Sequence, residues 1–102
     1  MERMDGELVK ELEQELATMG TRIAMVKSPD GETIRAFCLG LEKWLVRAQA
    51  LDKTWPEIFI ARVRELIKNL DSGWPAEQVL VRAMTLMIEV SKGFYSERDG
   101  IK

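Results

Sequence analysis

Between Glu32 and Asp52 the apolar residues fall into rows spaced by seven: Ile34, Leu41 and Ala48; Phe37, Trp44 and Leu51; Cys38 and Leu45. Residues seven apart lie two helical turns apart, and rows offset by three or four sit side by side. Together they make one wide apolar face, with Arg35, Glu42 and Gln49 on the opposite, wet side. A helix with so broad an apolar face has to be covered from more than one direction. That requirement points to helices packed on helices.

The rest of the chain supplies the partners. Leu8, Leu12, Leu16, Met19, Ile23 and Val26 step by fours and threes, predicting a first helix over residues 5–27 with Asp5 as N-cap and an acidic opening that suits the helix dipole. Gly20 interrupts it, as a kink or an early end. Ser28-Pro29-Asp30-Gly31 breaks the chain, and Ser28 or Asp30 is placed to cap a second helix over 31–52. The competing reading of the same break is a β-hairpin at 22–38, with β-branched residues on both sides of a Pro-Asp-Gly turn. The apolar period running from Ile34 to Leu51 is longer than a strand, which favours helices.

Thr54 and Glu57 have capping-box spacing and Pro56 falls in the first turn, so a third helix is expected over 55–71. After Asp71-Ser72-Gly73, Trp74-Pro75 opens a fourth helix over 75–92. Its many apolar residues leave only Gln78, Arg82, Thr85, Glu89 and Lys92 as a polar stripe, so burial around most of its circumference is expected. Residues 94–102 show no period and read as a frayed tail. Leu51-Asp52-x-x-Trp55-Pro56 recurs as Leu70-Asp71-x-x-Trp74-Pro75, a helix-stop, helix-start device in which each Trp is expected to fold back on the core. The sum is one all-α domain over 1–102, a four-helix up-down bundle.

Several chemistries are disfavoured by what the chain lacks. It has no histidine, which removes the commonest general base and metal ligand. One cysteine, Cys38, allows neither an internal disulfide nor a cysteine zinc site, and its place among Ile34, Leu41 and Leu45 reads as core filling. Glu11 and Glu15, one turn apart, read as a solvated helix face rather than an acid–base pair. No phosphate loop, nucleophile elbow or dinucleotide fingerprint occurs. The expectation is therefore a protein that is not an enzyme and takes neither metal nor cofactor. With 15 basic and 17 acidic residues there is no global basic field for nucleic acid. No apolar run reaches the roughly 20 residues of a membrane span, and the acidic start lacks a signal-peptide core, so a cytoplasmic location is expected.

Two functional readings remain. The stretch Leu66 … Gly73-Trp74-Pro75-Ala76-Glu77-Gln78-Val79 is similar to helix-turn-helix segments of transposases and transcription regulators. That resemblance implies DNA binding through residues 62–82, with Arg62, Arg64, Gln78 and Arg82 as the contacting side chains. Few of these are of the kind that reads bases, and the second helix is very apolar for a groove. The favoured reading is a non-enzymatic protein–protein interaction module acting as a homodimer. It is the profile of an adaptor, regulator or assembly subunit, including those of phage or mobile-element type. Phe37, Trp44 and Leu51 are the expected apolar interface row, and Glu7 and Glu11 on the acidic first helix the expected contacts to a basic partner surface.

Overall fold

A computed structural model of the protein describes residues 2–27, 30–51 and 54–100. They form four helices: α1 (Glu2–Ala24), α2 (Gly31–Ala48), α3 (Thr54–Asp71) and α4 (Ala76–Gly100). No strand occurs among the described residues, and the segment read alternatively as a hairpin belongs to the end of α1 and the start of α2. The all-α four-helix bundle is the architecture.

Contacts between helices fix their directions. Arg47 on α2 reaches back to Glu11 and Glu15 on α1. Arg35 and Glu42 on α2 pair with Asp71 and Arg64 on α3, and Arg62 on α3 meets Glu89 on α4 at 2.7 Å. On α2 and α3 the earlier residue meets the later one, as antiparallel neighbours require. Gly20 of α1 lies beside Met87 of α4, and α2 also packs diagonally on α4. Among the described residues α1 and α3 do not touch, so they occupy opposite corners.

The helix ends follow from local chemistry. Asp30 caps α2: the Thr33 backbone N–H donates to its carboxylate at 2.8 Å and the Thr33 hydroxyl at 2.9 Å. These bonds hold the Asp30 carboxyl below its ordinary range. Between α3 and α4, Gly73 adopts φ +93°. There the Trp74 N–H donates to the Asn69 carbonyl at 3.0 Å and the Gly73 N–H to the Leu70 carbonyl at 3.1 Å. This pair of bonds closes the last turn of α3 and needs the left-handed conformation that glycine adopts without strain. Ser28 and the Thr54 side chain of the expected capping box lie outside the described residues. Pro56 is fully buried in the first turn of α3.

The core is built around Trp44. Its ring is 2% exposed, its indole N–H donates to the Leu12 carbonyl at 2.9 Å, and its centroid lies 5.4 Å from Phe94 and 6.2 Å from Trp55. The same continuous core holds Ile34, Cys38, Leu41, Leu45 and Ala48 of α2, Leu12 and Leu16 of α1, Val63 of α3, and Val79, Ala83 and Val90 of α4. Edge-to-face aromatic contacts add to the burial of apolar area here.

Four expectations need correction. Asp5 does not cap α1, which begins at Glu2, passes Gly20 without a break and stops at Ala24 rather than residue 27. Helix α2 stops at Ala48 rather than residue 52, and Gln49, Ala50 and Leu51 close in single turns onto the preceding carbonyls. The segment after residue 92 continues α4 to Gly100, because Phe94 extends the Ala83–Met87–Val90 stripe into the Trp44 cluster and is 1% exposed. Finally, α4 is not buried around most of its circumference: Val81, Met84 and Ile88 face outward. A four-helix bundle covers only the inward side of each helix, whatever the helix offers on its back.

Candidate functional site

Of the residues expected to form an interface, Trp44 alone is fully inside the protein. Trp44 is core, and Phe37 and Leu51 are half-buried and packed against it. Phe37 helps to line a small recess of about 340 Å³ with Met19, Ile23 and Val26 of α1. Trp44 is therefore covered by α1, α3 and α4 of the same chain, and Phe37 is partly covered by α1. Glu7 is exposed, but Glu11 is engaged by Arg47 at 2.8 Å. Arg47 also takes the Glu15 carboxylate, and its guanidinium pKa is raised first by the Glu15 hydrogen bond and then by Glu11. Much of the acidic character of α1 is thus answered within the chain.

The helix-turn-helix reading fares similarly. Arg62, Glu65, Leu66 and Asn69 of α3 line a common groove with Val81, Arg82, Thr85, Leu86 and Glu89 of α4. Contact over so many turns is that of an antiparallel hairpin, whereas the DNA-binding unit crosses its helices at a wide angle. Arg62 is paired with Glu89 and Arg64 with Glu42 at 2.6 Å. Arg82 sits over the Trp74 ring, 5.2 Å from its centroid. Only Gln78 stands exposed without such a commitment. Trp74 is 37% exposed, so the two Trp-Pro devices part company: Trp55 packs on Trp44 and Phe59, and Trp74 lies on the surface beneath an arginine.

Burial pushes the Cys38 thiol up to about 11, so it stays protonated and unreactive at neutral pH. No group of three or more His, Cys, Asp or Glu is placed to hold a metal ion among the described residues. Among the same residues no helix is long and apolar enough to cross a membrane.

What stands out is the back of α4. Val81 is 60% exposed and Ile88 57%, with Met84 beside them and Thr85 the remaining residue of the strip. These positions recur at helical spacing, so they form one continuous line opposite the buried Val79, Ala83, Leu86 and Val90. Toward α1 the line borders a shallow cavity of about 680 Å³. Its α1 wall is Leu16, Ala17, Gly20, Ile23 and Ala24, and its α4 wall includes Met84, Met87, Ile88 and Tyr95, with Lys92 the one charge. Small residues on α1 leave this hollow open. A methyl group built on Gly20 would meet nothing closer than the Met87 Cε at 3.6 Å.

Other exposed apolar residues do not make such a patch. Leu39 and Val46 on α2 are separated by Glu42 and Lys43, and Ile58 stands alone on α3. The α4 line was visible in the sequence as apolar residues outside the 79–83–86–90 stripe. A helix this apolar is expected to be buried, whereas the bundle leaves its back bare. Comparison of the chain with family models, with curated proteins and with solved structures finds no match.

Proposed function

We propose that the protein is a non-enzymatic helical interaction module of the cytoplasm, an adaptor, regulator or assembly subunit that binds a protein through the back of α4. One observation carries this reading: Val81, Met84 and Ile88 form an uninterrupted apolar line in water, beside an open apolar hollow against α1. Contiguous exposed apolar surface on a small protein marks an interaction site far more often than single exposed residues do. Methionine and branched aliphatic side chains beside a groove of small residues suit the reception of a helix. The earlier candidate row around Trp44 has no part in it.

The reading is tested by carbene footprinting of the protein in its native cells and, separately, of the purified protein at high dilution. Met84 and Ile88 are expected to be labelled several-fold less in cells, with Ile58 labelled equally in both. Equal labelling of Met84 and Ile88 would contradict the reading. Retention of the protein on duplex DNA, lost on raising salt, would revive the nucleic-acid alternative.

A further inference from the structure

We propose that the partner seated on the back of α4 is a second copy of this chain, with the two α4 helices antiparallel about a two-fold axis between Met84 and Thr85. The proposal rests on the interaction reading above and adds to it the identity of the partner. Its basis is the self-complementarity of the strip. Glu77 lies at one end and Lys92 at the other, on the same side of the helix as Val81, Met84 and Ile88. Both are exposed, and neither forms an ion pair among the described residues. A two-fold axis perpendicular to the helix turns the strip onto itself end for end. In the register that centres on Met84 and Thr85, Glu77 meets the partner's Lys92 and Lys92 meets the partner's Glu77. The same register sets Val81 against the partner's Ile88, so apolar residues meet apolar residues and no like charges are opposed.

The hollow beside the strip completes the fit. Ala17, Gly20 and Ala24 leave room on the α1 side for the partner's α4, which then packs between α1 and α4 and receives the second α4 in return. From Glu77 to Ser96 the helix runs about 30 Å at its 1.5 Å rise. With two helices side by side, about 20 Å across, the covered face is on the order of 600 Å² per copy. Twice that is about 1,200 Å², the lower end of stable protein interfaces, and so a reversible dimer of modest affinity is expected.

Sedimentation equilibrium over a concentration series tests this, on the wild type and on three charge variants. The wild type is expected to pass from monomer to dimer and never to larger species, since an isologous contact closes on itself. Glu77→Lys and Lys92→Glu alone each place two like-charge pairs in the contact and are expected to raise the dimer Kd roughly tenfold at low salt. The double variant Glu77→Lys/Lys92→Glu restores both pairs in reversed sense and is expected to return close to the wild-type Kd. Ile88→Asp is expected to leave a folded monomer, judged by circular dichroism. A monomeric wild type throughout, a double variant no better than the singles, or an Ile88→Asp protein that still dimerises would each overturn the proposal. If the wild type is monomeric while Met84 and Ile88 are still shielded in cells, the second copy is wrong and the interaction reading survives. If neither self-association nor shielding is found, both fall.

Discussion

The two seams of this bundle in which α4 takes part are built differently. At Gly93 α4 is closely fitted against α3: a methyl group built there would lie 3.3 Å from Trp55 Cε3 and 3.5 Å from Phe59 Cε2, whereas nearer the start of α4 the two helices flank an open groove. Arg62 and Glu89 tie the same seam at its edge. Against α1, Gly20 faces α4 with room to spare, and the hollow bounded by Ala17 and Ala24 stays open. Glycine thus serves opposite ends in the two places. On one side it lets aromatic rings approach the backbone; on the other it leaves a gap that the chain does not fill. An unfilled apolar gap beside exposed Val81, Met84 and Ile88 is what a bundle looks like when part of its packing is left for another molecule.

The comparison can be broken first at the tight side's centre. Trp44→Ala removes a fully packed ring together with its indole hydrogen bond to the Leu12 carbonyl, so a loss of about 3–5 kcal/mol is expected in urea unfolding. Had the ring been an interface residue, the folded monomer would lose almost nothing. Phe94→Ala is expected to cost about 3 kcal/mol in the same assay, since the ring fills the Trp44 cluster from α4. A frayed tail would make that substitution neutral.

Two glycine substitutions sharpen the contrast. Gly20→Ala is expected to stabilise the protein by about 0.5–1 kcal/mol, because the methyl fits and helix propensity improves. Gly93→Ala is expected to yield none of that gain, as its methyl presses on the Trp55 ring. Equal thermal midpoints for the two variants would mean that the seams do not differ as described. On the outer face, Ile88→Ser is expected to change monomer stability by no more than about 0.5 kcal/mol, because the side chain packs on little of its own chain.

The smallest expected effect lies away from both seams, at the cap of α2. Hydrogen bonds from Thr33 lower the folded-state pKa of Asp30 below 3.8. A depressed carboxyl pKa adds stability that is present above the unfolded value and disappears as pH falls through the folded one. Asp30→Asn keeps a capping oxygen but cannot titrate. The difference in urea midpoint between about pH 5 and about pH 2.5 should therefore be smaller in Asp30→Asn than in the wild type. An unchanged difference would show that Asp30 takes no part in the acid response.

Much of the fold could be read from residue spacing alone, because each helix announces itself twice. The rows of α2 gave its buried residues, and Asp30, Pro56 and Gly73 marked ends that the structure keeps. Asp30 and Gly31 open a helix rather than a strand because the Ile34–Ala48 period had to be satisfied along its length. Spacing says which residues share a face but not what covers that face. Hence Phe37, Trp44 and Leu51 read as a free edge, although three helices of the same chain close over Trp44 and the other two lie half-buried against the core. The reverse error occurred on α4, where an apolar composition suggested burial and the bundle had no fifth element to supply it. Phe94 was legible in principle, one turn beyond Val90 on the same stripe, but the glycine and charges around it masked the period. The site was therefore less legible than the fold: Glu77, Val81, Ile88 and Lys92 become a strip only once the inward side of α4 is known.

The most direct test of that strip is a pair of distances between copies. Spin labels at Thr85, beside the proposed axis, should give an inter-copy separation near the helix–helix spacing of about 10 Å. Labels at Ser96 should be about 35 Å apart, because antiparallel helices carry their ends away from each other at 1.5 Å per residue. Short distances at both positions would mean parallel helices, and no inter-copy coupling at either would mean that the back of α4 does not meet its own copy. Either result contradicts the two-fold antiparallel contact.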